Sequence, residues 1–199
     1  MNTFQNALSK RRSIYALNNI SELSTDEITH MIQNCLYHAP SAFNSQSTRL
    51  IILYGHYYTD FWQMVEDTLQ KIVSPDKFQT TKDRITSFKQ GIGTVLFFED
   101  ENIVQNLQKK MPLYADNFPT WATQSNAMIQ YMAWATLADK NIGASLQHYN
   151  PLIDEDTRRM FHLPSSWRLI AQMPFGGIAE RAAEKSHEPL EKRIKVFTD

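Results

Sequence analysis

Four polar clusters carry the residue types needed to hold an anion and a flat heterocycle. The first is Lys10-Arg11-Arg12-Ser13, where two guanidiniums and a hydroxyl form a fork of donors suited to phosphate. Cations also gather at helix C-termini, where the macrodipole favours them, and alone the cluster reads more simply that way. The second follows Pro40 as Ser41-Ala42-Phe43-Asn44-Ser45-Gln46. Asn and Gln each bring a donor and an acceptor, enough to read a heterocycle edge. The same composition marks an ordinary helix-to-strand loop. The third runs from Gly143 to Asn150 (GASLQHYN), where the glycine permits close backbone approach to a ligand. Its plainer reading is a helix C-cap and a short strand. The fourth spans Gly176-Gly177 to Glu184-Lys185, a turn ending in a cation, or else an exposed loop.

Other chemistries lack their residues. The six histidines form no HExxH or HxH and no His/Cys pair at ligand spacing. No GxSxG elbow, Walker lysine loop or GxGxxG fingerprint is present. These absences disfavour the commonest hydrolases, nucleotide hydrolases and Rossmann dehydrogenases. A single cysteine, Cys35, excludes an intramolecular disulfide and a multi-cysteine zinc site, and its place on an apolar helix face reads as core.

The 199 residues suit one domain, 1–199, with a short C-terminal extension at about 188–199. With 42% apolar and 21% charged residues the composition is globular, and the net charge of −1 argues against nucleic acid as a partner. No uncharged apolar stretch reaches membrane-spanning length, and the N-terminus places its charges after its apolar residues, the reverse of a secretory signal. The expected setting is cytoplasmic.

The elements that would position the clusters follow from periodicity. Helices are expected at Thr3–Arg11, Thr25–His38, Tyr58–Val73, Pro75–Lys89, Ile103–Lys110, Pro119–Lys140 and Asp154–Phe161. Ser24 with Glu27 forms a capping-box pattern for the second. The helix at 119–140 is apolar on nearly every side, as in a large core or an interface. Buried strands are expected at Thr48–Tyr54, Thr94–Phe98 and Trp167–Met173. The acidic run Glu99–Glu101 would close the second, and Pro174 and Gly176-Gly177 follow the third. Lys192–Phe197 alternates like an edge or exchanged strand. The fold class is α+β, with helices around a small central sheet.

Taken together, the clusters resemble the flavin-dependent nitroreductase family, in its short single-domain branch with the fatty-acid-regulation-type nitroreductases. The strings are RRSIYAL at 11–17, HAPSAFNSQSTRL at 38–50, SNAMIQYMAWATLADKNIGASLQHYNP at 125–151 and PFGGIAERAAEK at 174–185. The resemblance implies a nitroreductase-like fold with FMN at a homodimer interface. It implies that Arg11, Arg12 and Ser13 grip the FMN phosphate together with Lys185. It implies that Ser41, Asn44 and Gln46 reach the flavin from the partner subunit. Leu146, Gln147 and His148 would lie beside the ring, with a backbone N–H of that segment facing N5. Two departures stand out: Tyr15 occupies the position, four after Arg11, where the family often has a basic residue, and Ser47-Thr48 follow Gln46 in place of Pro-Trp. Arg49 is the candidate substitute for the missing cation.

The activity implied is hydride transfer from NAD(P)H through flavin N5 to a nitroaromatic, quinone or other small aromatic acceptor, by ping-pong kinetics. The cofactor carries the hard chemistry, so no side-chain nucleophile is required. Phe43, Tyr114, Phe118, Trp121 and Tyr149 are candidates for a flat acceptor pocket, although core packing is the better reading for most of them. The alternative is a flavin-binding regulatory or storage protein with little turnover.

Overall fold

The three apolar runs become the long strands of a single antiparallel sheet. The computed structural model describes residues 3–198. Its strands are β1 (Leu17–Asn18), β2 (Thr48–Tyr54), β3 (Gly93–Asp100), β4 (Ile142–Ala144) and β5 (Trp167–Ile178). The order is β1-β5-β3-β2, and β4 pairs with β5. The helices are α1 (Thr3–Lys10), α2 (Thr25–His38), α3 (Gly55–Gln70), α4 (Pro75–Lys89), α5 (Glu101–Lys110), α6 (Phe118–Asp139) and α7 (Asp154–Met160).

Both faces of the sheet are covered, which is why β3 reads as a continuous apolar run. Val95 and Phe97 of β3 pack with Ile28 and Ile32 of α2 and Ile129, Ala133 and Leu137 of α6. Leu96 and Phe98 point to the other face, against Phe61, Trp62 and Val65 of α3 and Ile85 and Phe88 of α4. The register of β3 on β5 shifts between Phe97 and Phe98, opposite Ala171 and Leu169, so Ile170 is the extra residue. The bulge sends Leu169 to the second face while Ala171, Met173 and Phe175 stay on the first.

Helix ends follow their caps. Ser24 and Glu27 complete the capping box of α2. α3 starts at Gly55, three residues before the expected Tyr58, because Gly55 at φ 57 turns the chain directly from β2 into the helix. The acidic run divides into three roles. Glu99 stays in β3, Asp100 accepts from the Asn102 N–H as the cap of α5, and Glu101 lies in the first turn.

Two sequence expectations are corrected. β5 does not stop at Met173; it continues through Pro174 and Gly176-Gly177, which are buried. The glycines are needed because other backbone presses on them. A Cβ at Gly176 would lie 2.5 Å from the Asn18 carbonyl oxygen and 2.7 Å from Gly91 Cα. The expected strand over Lys192–Phe197 does not form within the chain. Leu190–Lys192 is a 3-10 turn, and Ile194, Val196 and Phe197 are exposed. An alternating pattern supplies no partner edge, and none is offered to it inside the chain.

Gly176→Ala is expected to destabilise the fold by about 1–3 kcal/mol, since its new methyl meets backbone that cannot rotate away. Urea unfolding checks this; an unchanged midpoint would show that β1 and β5 can separate freely.

Candidate functional site

The tail that follows β5 returns to the end of α1. Leu8, Ser9, Arg11, Arg12, Glu184, Lys185 and His187 line a cleft of about 480 Å³. Three cations face one carboxylate there, so the cleft attracts anions. Arg12 Nη2 donates to the Ala183 carbonyl, tying the tail to the end of α1. The Arg11 guanidinium lies 4.4 Å from the centre of the Trp134 ring. Trp134 is fixed in turn, its indole N–H donating to the Ala144 carbonyl at 3.0 Å. Arg11 Nε is buried without a hydrogen-bond partner, an unmet donor in a cation-lined cleft.

Ser13 bridges to Ala144 of β4, and the next residue, Ile14, donates its N–H to the Ala144 carbonyl at 2.9 Å. The first and third clusters therefore meet. The segment after β4 runs along β5, where Gln147 exchanges backbone bonds with Gln172 at 2.7 and 2.9 Å. Ser145 and Tyr149 also turn their N–H groups toward β5, onto the Pro174 carbonyl and Gln172 Oε1. Alternation along the chain then aims the N–H groups of Leu146 and His148 away from the sheet. The expectation of a ligand-facing N–H therefore narrows to these two, because that of Gln147 is committed. Leu146 is half-buried and His148 exposed.

The second cluster lies elsewhere. Ala42–Asn44 is a 3-10 turn, and Phe43, Asn44 and Gln46 all have positive φ, at 54, 50 and 47°. Such conformations are costly for non-glycine residues and gather at functional loops. The loop is held from both ends. Ser41 Oγ accepts from the Gln46 N–H at 3.0 Å, and Arg49 donates to the Gln46 carbonyl at 2.8 Å. Arg49 also pairs with Asp100 at 3.3 Å, so its charge is engaged in holding the loop. Asn44 and Gln46 stay exposed. The Phe43 ring stands 5.5 Å from Phe118, 5.9 Å from Tyr114 and 6.0 Å from Trp121. None of these residues lines the cation cleft. Within one chain the two halves of the expected site are separate.

Sequence reasoning missed Trp134, read as one more apolar position of a helix, and Glu99, read as the end of a strand. Glu99 is fully buried behind the loop and accepts from Ser47 Oγ at 3.0 Å, Thr48 Oγ1 at 2.8 Å and Asn126 Nδ2 at 3.4 Å. A carboxylate at the end of an apolar run, followed by two more acids, was the available signal. Burial pushes the Glu99 carboxyl above its ordinary range, while the bonds from Thr48, Asn126 and Ser47 and the charge of Arg168 pull the other way. Cys35 is buried, its thiol raised by burial, with Thr136 Oγ1 at 3.5 Å, as a core residue should be. No three-residue metal-binding group occurs among the described residues, and no described helix is long and apolar enough to cross a membrane.

The nitroreductase family model matches residues 8–177, from the end of α1 to the end of β5. This chain belongs to the nitroreductase family. It is 29% identical over 197 residues to HBN1 of Saccharomyces cerevisiae, covering 98% of this chain and 97% of the relative. The structure of nitroreductase CinD from Lactococcus lactis in complex with chloramphenicol matches with a TM-score of 0.90 at 38% identity, over 98% of this chain and all 100% of that one. CinD is also known in complex with 4-nitrophenol and with nicotinic acid. A nitroreductase with bound FMN from Desulfitobacterium hafniense, 15% identical over 100% of both chains, shares the fold with a TM-score of 0.70. The α+β architecture expected from the sequence is thus that of the family.

The raised Glu99 value fixes a sign for stability. A carboxyl raised on folding contributes its stability in full below its ordinary value of 4.5 and loses it as pH climbs through the folded value. The nitroreductase variant Glu99→Gln escapes that loss. Its melting temperature relative to wild type is expected to become more favourable between about pH 4 and pH 8. A difference that stays constant across that range would show that Glu99 titrates normally.

Proposed function

We propose that the protein is an FMN-dependent oxidoreductase of two identical subunits that reduces nitroaromatic, quinone or related flat acceptors with NAD(P)H. What carries the reading is the cation cleft, where Arg11 is stacked on Trp134 with an unmet buried donor. The donor set of the cleft fits a phosphate: two planar guanidiniums and an ammonium, on one short segment and one returning tail, with the Ser13 hydroxyl next in the chain after Arg12. FMN, when bound, supplies hydride transfer at N5, oxidising NAD(P)H to NAD(P)⁺ and passing two electrons and a proton to the acceptor, which takes any further proton from solvent.

The chain's own residues bind and orient. Arg11, Arg12 and Lys185 hold the phosphate, and Ser13 adds a neutral donor. Gly143 and Ala144 keep the backbone low beside the Ser13 segment, and Leu146, Gln147 and His148 border the ring with outward N–H groups. Ser41, Asn44 and Gln46 come from the second copy, which accounts for a strained and exposed loop outside the cleft of its own chain. The open face of α6 supports that pairing. Met128 and Tyr131 remain 41% and 42% exposed on a side of α6 that also exposes Gln124 and Ala127, while Ile129, Ala133 and Leu137 are buried in the core.

The aromatic group of Phe43, Tyr114, Phe118 and Trp121 suits a flat acceptor. The chloramphenicol and 4-nitrophenol complexes of CinD, at 38–39% identity, favour nitroaromatics as the acceptor class. A single buried thiol suits a reducing compartment, and we place the enzyme in the cytoplasm.

Arg11→Ala is expected to weaken FMN binding by about 1.5–3 kcal/mol, roughly tenfold to a hundredfold, through loss of a charge-assisted bond. Fluorescence titration of the stripped protein with FMN measures this. Unchanged affinity would remove the phosphate assignment. A wild-type protein that ignores FMN would remove the cofactor reading altogether.

A further inference from the structure

Arg49, Arg158, Arg159 and Arg168 are each held by a carboxylate. Arg11 is held differently. It enters none of the ion pairs among the described residues. Its guanidinium lies over the Trp134 ring instead, and its Nε is buried and unmet. Trp134 is fixed from two sides. It packs against the core cluster that contains Ala133, Leu137, Ile142 and Ala144. Its indole N–H donates to the Ala144 carbonyl, which also accepts the Ile14 N–H. One side chain of α6 thus ties together Arg11, the backbone that follows Ser13, and β4.

The kind of partner matters for what Arg11 can still do. A carboxylate neutralises a guanidinium and takes up two of its N–H groups. A ring face attracts the same cation without neutralising it, and leaves the in-plane N–H groups for another acceptor. A long side chain ordered in advance also spares binding part of its conformational cost.

We propose that Trp134 is a positioning residue that holds Arg11 ready for the phosphate, and so sets the preference of the site for a phosphorylated flavin over the unphosphorylated one. The proposal rests on the FMN reading above. Trp134 acts through Arg11, and its effect is confined to the part of the ligand that Arg11 meets.

The test uses the full chain stripped of flavin, titrated by fluorescence with FMN and with riboflavin, which has the same ring and no phosphate. Trp134→Leu and Trp134→Met remove the ring but keep apolar bulk, so the outcome does not hang on one variant folding. Each is expected to weaken FMN about tenfold and riboflavin less than about twofold. Trp134→Phe keeps a ring face and should retain most of the FMN affinity; the Ala144 carbonyl it releases still holds the Ile14 N–H. Added to Arg11→Ala, Trp134→Leu should weaken FMN little further, since the residue through which it acts is gone. Equal weakening of FMN and riboflavin, additive losses in the double variant, or wild-type FMN affinity without the ring overturns the assignment while leaving the cofactor reading intact. A wild-type protein that binds neither flavin overturns both.

Discussion

β5 is the constraint on which the site depends. It pairs with β3 and then β1 along one edge and with β4 along the other, so every segment of the cation-cleft half of the site is attached to it. The donors at Arg11–Ser13 precede β1, Gly143 and Ala144 are β4, Gln147 pairs with Gln172, and the tail bearing Lys185 leaves its end. Antiparallel pairing fixes which backbone groups of these segments face the sheet and which face outward. The glycines near its end let the backbones approach more closely than any side chain would allow. Rigid positioning of this kind is what a cofactor-dependent site requires, since the protein contributes placement and electrostatics.

A second constraint operates at the other end of β3. Glu99 is buried against Ser47, Thr48 and Asn126, and Asn126 also donates to the Phe98 carbonyl at 3.1 Å and accepts from Gln130 at 2.7 Å. The start of β2, the end of β3 and the middle of α6 are thereby locked together. Directly before this knot lies the loop with three positive-φ residues. A strained loop persists only when its surroundings over-determine it, and the polar knot with the Arg49 clamp supplies that. The two constraints hold the two proposed half-sites, one on each end of the sheet.

Much of the fold was legible because period and composition are local properties. The helix at Thr25–His38 kept its capping box, and the strand at Thr48–Tyr54 its boundaries, since caps and apolar runs act over a few residues. Errors arose where tertiary contacts override local punctuation. Gly176 and Gly177 look like a turn, yet they lie inside β5 because β1 and Gly91 press against them. Lys192–Phe197 looks like a strand, yet a strand needs an edge to pair with.

The sequence by itself determined which residue types were available: the arginine pair with Ser13, the Ser41–Gln46 amides, the segment after the central helix, and the later lysine. These are side-chain identities, and covalent order preserves them. Only the tertiary structure decided their partners. It placed Trp134 under Arg11, buried Glu99 behind the loop, committed Arg49 to Asp100 and set Arg84 over Tyr15. The physical reason is distance. Charge and hydrogen-bond energies depend on separations of a few ångströms, and packing of the helices on the sheet sets those separations between residues as far apart in the chain as Arg11 and Trp134.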